Sequence, residues 1–82
     1  MIMLAFAVRD KAVEAYMPVF MCRSKGEAIR SFTMAVRDVK HQFAASKIDY
    51  DLFYIGSFDD QDGLLISDGP QRLLGAVEVG EE

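Results

Sequence analysis

Apolar residues dominate the first segment of the chain, residues 2–9. They occupy both sets of alternating positions: Ile2, Leu4, Phe6 and Val8 in one set, and Met3, Ala5 and Ala7 in the other. Alternating positions of a strand point to opposite faces of its sheet, so both faces of this strand are apolar. Such strands are typically central in a sheet or covered on both sides. The pattern therefore predicts a central strand over residues 2–9.

A second apolar and aromatic segment covers residues 16–23, after a connection over residues 10–15. It contains Pro18, which has no backbone N–H to donate to a neighbouring strand. The segment is therefore predicted to be an edge strand or to carry a bulge.

The clearest helical pattern begins at Ser24. This residue is a favourable N-cap, and Glu27 three residues later completes a capping box. The apolar positions that follow recur every three or four residues, as on one face of a helix: Ala28, Ile29, Phe32, Ala35, Val36, Val39 and Phe43. We predict an amphipathic helix over residues 25–40, with a connection over residues 42–49.

The C-terminal half predicts a hairpin. Residues 50–58 are rich in the aromatic and β-branched side chains that favour strands, and one face would hold Tyr50, Leu52, Tyr54 and Phe58. Residues 59–63 have turn chemistry, in which Asp62-Gly63 supplies positive backbone φ, and residues 64–67 return as a short strand. Asp68-Gly69-Pro70 is predicted to end that strand. Residues 71–76 are predicted as a helical turn, and residues 77–82 as a short strand or a frayed acidic tail.

These elements predict a single α+β domain over residues 1–82. The order β-β-α-β-β gives a small antiparallel sheet of about four strands with one amphipathic helix on one face. Because one helix covers only one face, the second apolar face of the first strand needs another cover. We expect a homodimer to bury it.

Charge is distributed unevenly along the 82 residues. The net charge is −4 and the pI is about 4.8, so the domain as a whole lacks the basic signature of a nucleic-acid-binding protein. Residues 1–48 contain eight basic and four acidic residues, whereas residues 49–82 contain one basic and nine acidic residues. Two interpretations stay open: a charged interaction face, or two halves that pair with each other within one fold or across a dimer.

The predicted helix carries a basic face. The cations on it and beside it are Arg30, Arg37 and Lys40 along the helix, Arg23 and Lys25 at its start, and Lys47 beyond its end. Cations on one face are able to bind the phosphates of a nucleic acid, and the ring of Tyr50 or Tyr54 would stack on its bases. The alternative is a helix face that is simply solvated.

Other candidate chemistry is sparse. Cys22 is the only cysteine, so an intramolecular disulfide is excluded, and its apolar surroundings favour a buried residue over a reactive thiol. His41 has no second histidine or cysteine at zinc-ligand spacing. The acidic turn lacks the first and last ligands of an EF-hand loop. We therefore expect a protein that is not an enzyme and has no metal site or cofactor. Because the sequence shows no signal peptide and no apolar run long enough to span a membrane, we also expect an intracellular protein that does not enter membranes.

Three segments carry a family resemblance: AVRDKAVEAYMPVF at 7–20, GEAIRSFTMAVRD at 26–38 and YDLFYIGSFDDQDG at 50–63. The last is the most specific, through its aromatic strand, Ile55-Gly56, Phe58-Asp59-Asp60 and Gly63. In these segments the chain resembles the small nonstructural protein of gokushovirus-type microviruses, which are single-stranded DNA phages. The family pattern has Asn-Asp-Pro after the helix, where this chain has Arg37-Asp38-Val39, and that departure allows the helix to run longer.

The resemblance implies a non-capsid phage protein in the cytoplasm of the infected bacterium, often described as DNA-binding and assigned to genome replication or the switch to packaging. The leading hypothesis is an accessory protein, expected to be dimeric, that contacts single-stranded DNA or phage or host replication proteins. The alternative is a protein–protein interaction module that binds a host or phage factor without DNA contact. DNA binding requires a basic helix face that is exposed and free of acidic partners.

Overall fold

The computed structural model describes residues 1–80 and shows an α+β fold, as the sequence predicts. Its antiparallel sheet contains five strands: β1 (Ile2–Asp10), β2 (Ala15–Tyr16), β3 (Phe20–Cys22), β4 (Tyr50–Asp59) and β5 (Leu64–Gly75). The order is β2-β1-β4-β5, and β3 pairs with β1 on the same side as β2. The main helix, α1 (Lys25–Arg37), is followed by the short helix α2 (Gln42–Ala45). Two 3-10 turns lie at Lys47–Asp49 and Ala76–Glu78.

One face of the sheet, called here the front face, packs against the helices and forms the core. The core side chains come from the sheet, both helices and the second 3-10 turn: Phe6, Val8, Cys22, Ala28, Phe32, Val36, Phe43, Tyr50, Leu52, Tyr54, Ala76 and Val79. Burial of these apolar side chains makes the main contribution to the stability of so small a domain.

Strand β1 is central, which confirms the prediction from its two apolar faces. It pairs with β2 and β3 on one side and with β4 on the other. Ala5 and Ala7 are 3% and 1% exposed, yet they are not part of the core cluster. They point to the opposite face, called here the back face, where larger side chains of neighbouring strands surround them.

The second predicted strand is interrupted at Pro18. Ala15–Tyr16 and Phe20–Cys22 each pair with β1, whereas residues 17–19 leave the ladder. This break follows from the missing N–H of proline, which is tolerated only where a strand lies at an edge or is interrupted.

Helix α1 ends three residues earlier than predicted. Asp38 is its C-cap, and the Asp38 carboxylate accepts a hydrogen bond of 3.0 Å from the backbone N–H of Lys40. This local bond competes with continued helix, as aspartate side chains commonly do. Val39, predicted on the apolar stripe, is consequently 87% exposed, and Phe43 reaches the core from α2 instead.

A bulge in β4 changes the facing of Phe58. The register with β1 shifts so that Phe6 opposes Tyr54 while Ala5 opposes Gly56, and Ile55 is left over. Because one extra residue reverses the alternation, Phe58 opposes Met3 on the back face. The prediction that Phe58 shares a face with Tyr50 and Tyr54 was therefore wrong.

Strand β5 is longer than predicted. It runs through Asp68-Gly69-Pro70, which leaves the ladder between the pairs Gly56–Ser67 and Tyr54–Gln71, and continues to Gly75. The predicted end of the strand and the helical turn over 71–76 were therefore wrong, because pairing with β4 on both sides of the interruption outweighs its turn propensity. The turn before β5 has Gly63 at φ +71°, as predicted.

The predicted short strand or frayed tail over 77–82 was wrong for its described part. Ala76–Glu78 form the second 3-10 turn, and Val79 is buried in the core. Burial of Val79 explains why this segment is held against the domain. The prediction for Glu81 and Glu82 lies outside the described residues.

Candidate nucleic-acid interface

Helix α1 starts at the predicted N-cap Ser24, but the second bond of the predicted capping box goes to Arg23 rather than to Ser24 itself. The backbone N–H of Glu27 donates to the Ser24 hydroxyl at 3.1 Å, and the Glu27 carboxylate accepts from the backbone N–H of Arg23 at 3.0 Å. That backbone bond, with the Arg23 charge, lowers the pKa of Glu27. Ala28, Phe32 and Val36 then face the core, and this fixes which residues face solvent.

The outer stripe of α1 carries Arg30, Met34 and Arg37, spaced four and three residues apart. Arg30 and Arg37 are exposed, and Met34 between them is 67% exposed. Lys40 is exposed as well, but the prediction that it lies on this helix was wrong, because α1 ends at Arg37 and Lys40 belongs to the turn that follows. Within residues 1–80, neither Arg30 nor Lys40 forms an ion pair. Arg30 and Lys40 are thus exposed and without acidic partners in this part of the chain, which is the condition stated above for contacts with phosphates.

Arg37 and Lys47 lie on the walls of one surface groove. The groove has a volume of about 420 Å³, and its other lining residues are mostly apolar: Val36, Val39, Ala44, Ala45, Val79 and Gly80. The Arg37 Nε donates to the Gly80 carbonyl at 2.9 Å, so the end of α1 is tied to the C-terminal segment. The fold therefore brings Lys47 to the end of the helix, which sequence spacing left open.

Arg23 and Lys25 belong to the opposite end of α1. Arg23 lies 3.8 Å from the Glu27 carboxylate, and the Lys25 ammonium lies 4.8 Å from the centre of the Tyr54 ring. Since 13 residues of helix span about 20 Å, these cations are separated from the groove by most of the helix. The predicted basic residues thus form two groups, with Arg30 between them.

The two tyrosines proposed to stack on bases are buried. Tyr50 and Tyr54 are 7% and 9% exposed, and both belong to the core cluster. The Tyr54 ring contacts Phe6 edge-on at 5.8 Å, and its hydroxyl donates to Asp68 at 3.4 Å. Burial, with the nearby Asp68 charge, raises the pKa of Tyr54. A base-stacking role for either ring does not fit this burial.

Other aromatic rings are accessible, on the back face rather than beside the helix. Tyr16 is 43% exposed and contacts Phe53 at 5.3 Å, with the Arg9 guanidinium 5.8 Å from the Tyr16 ring centre. Phe53 and Phe58 are half-buried. The alternation of residues in the sequence does not predict this grouping, because the bulge at Ile55 reverses the facing of Phe58. The neighbouring Gly56 was the available signal, since glycine inside a strand often marks a bulge or close backbone approach.

The acidic residues are concentrated elsewhere in the fold. Asp59, Asp60 and Asp62 lie at the tip of the β4–β5 hairpin, where the N-terminal amine contacts Asp60 at 2.6 Å. Arg72, the one basic residue of the C-terminal half, bonds to Glu78 and lies 3.5 Å from Asp51. Lys11 also lies 3.4 Å from Asp51, so the two halves pair at this point without neutralising the outer stripe of α1.

The two remaining candidates for chemistry, Cys22 and His41, take part in the structure of the domain. Cys22 is buried, and that burial, with the nearby Glu27 carboxylate, raises the pKa of its thiol. His41 caps α2 by accepting from the backbone N–H of Phe43 at 3.1 Å. Across residues 1–80, no three histidine, cysteine, aspartate or glutamate side chains are grouped to hold a metal ion. Nor does any helix in that range have the length and apolar character to cross a membrane.

Comparison with known proteins identifies the kind of protein but not its activity. Neither the curated proteins nor the solved structures contain a match to the chain. A family model described as Phage ORF5 protein matches residues 3–79, which include both helices and, apart from the first residue of β1, all five strands described above. The chain therefore belongs to the Phage ORF5 protein family.

Proposed function

We propose that this phage protein binds single-stranded DNA through the outer stripe of helix α1. The single observation that carries the proposal is the pair of exposed cations Arg30 and Lys40, which have no ion pair within residues 1–80. Arg37 lies between them along the chain. Arg30 and Arg37 on α1, with Lys40 in the turn that follows it, provide three cations for the repeating negative charge of a nucleic-acid backbone.

The proposed biological role is that of a non-enzymatic, non-capsid accessory protein in genome replication or in the switch to packaging. It would act in the cytoplasm of the infected bacterium, as a microvirus-type nonstructural protein does. The separation of charge in the fold supports a limited DNA contact rather than coating of the genome. Cations line the helix surface, whereas the hairpin tip carries three aspartates that repel phosphate.

Salt dependence is the direct test of phosphate contact. If three cations each neutralise one phosphate, the slope of log affinity against log salt is expected to be about −2, from about −0.7 per contact on single strands. The measurement is a titration of fluorescently labelled single-stranded DNA at two salt concentrations. Arg30→Gln and Lys40→Gln should each flatten the slope by about 0.7.

Lys11→Gln is the matched control, because it removes the same charge at the far end of β1 where Lys11 faces Asp51. It should leave the slope unchanged. Tyr54→Phe should also leave DNA binding unchanged, because the ring stays in the core and only the bond to Asp68 is lost. A flat titration at about 50 mM salt with folded protein would refute the DNA proposal.

The rival function, a protein–protein interaction module for a host or phage replication factor, is favoured by one specific observation. An apolar groove of about 240 Å³ lies between α1 and the Pro18 segment. It is lined by Val8, Met17, Pro18, Phe20, Ser31, Phe32, Ala35 and Phe43. Apolar grooves of this kind accept apolar side chains of a partner rather than phosphate. Under this alternative, neither Arg30→Gln nor Lys40→Gln changes the interaction.

A further inference from the structure

The back face of the sheet presents an uncovered apolar surface. The back-face patch consists of Met3, Met21, Phe53, Phe58 and Leu65. Phe58 on β4 pairs with Met3 on one side and with Leu65 on the other, and β3 adds Met21 on the far side of β1. Leu65 is 75% exposed and Met21 is 39% exposed. The other three side chains are half-buried.

No described helix or turn covers this patch. The core cluster gathers α1, α2 and the second 3-10 turn on the front face, with Phe6, Val8 and Leu52 of the sheet. Contiguous exposed apolar surface on a small soluble domain marks an interaction site.

The chemistry of the patch fits protein rather than nucleic acid. Its five members are uncharged, so it offers nothing to bind phosphate. Arg72, which opposes Phe53, is already bound to Asp51 and Glu78. The aspartates of the hairpin tip lie beside the Phe58 and Leu65 end of the patch and would repel a DNA backbone.

We propose that a second copy of this chain covers the patch, with the two sheets stacked back to back and their β1 strands antiparallel about a twofold axis. The two ends of the back face differ in charge. At one end Lys11 and Arg72 are paired with Asp51 and Glu78, which leaves Arg9 without an ion pair within residues 1–80, and at the other end lies the hairpin tip with Asp60 and Asp62. A twofold axis places each Arg9 near the partner copy's tip, so the surface is complementary to itself.

The area agrees with a stable but small dimer. Four strands about 4.8 Å apart and nine residues of about 3.3 Å each give a face of at most roughly 600 Å², because the short strands β2 and β3 share one of the four positions. Two such faces bury at most about 1,200 Å² in total, which is the lower limit for specific protein interfaces. Sheets stacked in this way lie about 10 Å apart with aligned strands. The dimer leaves both α1 helices on its outer surfaces, where their cations stay accessible.

The test is light scattering of the purified full-length chain from about 1 to 100 µM. The parent is expected at twice the monomer mass of 9.2 kDa. Met21→Lys and Leu65→Lys each place a charge in the interface and should weaken the dimer at least about tenfold. Met34→Lys is the matched control, because Met34 is exposed on the outer stripe of α1, and it should leave the dimer intact. Circular dichroism confirms that each variant is folded.

A charge swap tests the orientation. Arg9→Glu should weaken the dimer, and adding Asp62→Arg in the same chain should restore it. A parent that is monomeric at about 100 µM overturns the proposal. A dimer that survives both Met21→Lys and Leu65→Lys overturns it as well, because the second copy then binds elsewhere. If the parent is a monomer and the Phe53→Ala variant no longer binds DNA, the dimer proposal is overturned and the back face is assigned to nucleic-acid binding.

Discussion

The two faces of one sheet differ in how they are covered, although both are apolar. On the front face, Phe6 and Leu52 are fully buried beneath the helices. On the back face, the small side chains Ala5 and Ala7 and the ion-paired Asp51 are buried, whereas the larger apolar Met21 and Leu65 remain exposed. The difference shows that an apolar pattern specifies what must be covered, whereas the fold decides whether this chain or a partner covers it.

The largest effect is expected from truncating the front face. Phe32→Ala removes a ring that is 3% exposed and contacts Phe43 at 5.5 Å, so it should lower the free energy of unfolding by about 3–5 kcal/mol. Phe58→Ala, on the half-buried back face, should cost about 1 kcal/mol in the monomer. Urea unfolding of both variants measures the contrast. If the proposed dimer forms, the cost of Phe58→Ala rises with protein concentration, while that of Phe32→Ala does not. If the two variants lost the same free energy of unfolding at all protein concentrations, the contrast between the front and back faces would be contradicted.

A smaller but still large effect is expected from Gly56. A Cβ at this position would collide with the backbone carbonyl of Ile66, so Gly56→Ala must displace β5 from β4. We expect a loss of more than about 2 kcal/mol. Gly26→Ala is the control, because the nearest atom to its Cβ would be the Ser24 hydroxyl at 3.9 Å. Alanine inside helix α1 should stabilise the protein by about 0.5–1 kcal/mol. A neutral Gly56→Ala would show that the hairpin shifts its register without cost.

The smallest effect concerns the acid sensitivity of the helix start. The Arg23 backbone N–H and the Arg23 charge lower the pKa of Glu27, so its carboxylate contributes stability above the ordinary glutamate pKa of about 4.3. That contribution is lost as the pH falls through the lowered value. Glu27→Gln should therefore destabilise the protein slightly at pH 7 and not at low pH. Thermal unfolding across this range measures it, with Glu14→Gln as a control that removes an exposed charge from a turn. A difference that persists unchanged at low pH would exclude the capping carboxylate as its source.

Glu78 should respond to pH in the same direction. The Gly75 backbone N–H, followed by the Arg72 side chain, lowers the pKa of its carboxyl group. Cys22 responds at the other end of the range, because burial raises the pKa of its thiol and the unfolded chain ionises first as the pH rises. Stability should therefore decline on both the acidic and the alkaline side.

The candidate site was only partly predictable. Local spacing placed Arg30 and Arg37 on a solvent-facing surface, because helical periodicity fixes which side chains oppose the core. Lys40, predicted on the same helix, is exposed in the turn after α1 instead. It also placed Tyr54 on a strand face but gave no means to decide whether that face was buried. The structure shows the ring 9% exposed and the Lys25 ammonium above it. A stripe of aromatic residues looks the same in a sequence whether it packs against a helix or binds a ligand.

The sequence by itself determined the α+β class, the central position of β1, the start of α1 at Ser24 and the turn at Gly63, because each depends on local chemistry: alternation, capping and positive φ. Only the tertiary structure decided the facing of Phe58, the passage of β5 through Asp68-Gly69-Pro70 and the burial of Val79. These features depend on pairing with β4 or packing against the core, where contacts between residues far apart in the chain outweigh local preference. The grouping of Lys47 with Arg37 has the same origin, since the turn after α2 returns the chain to the end of α1.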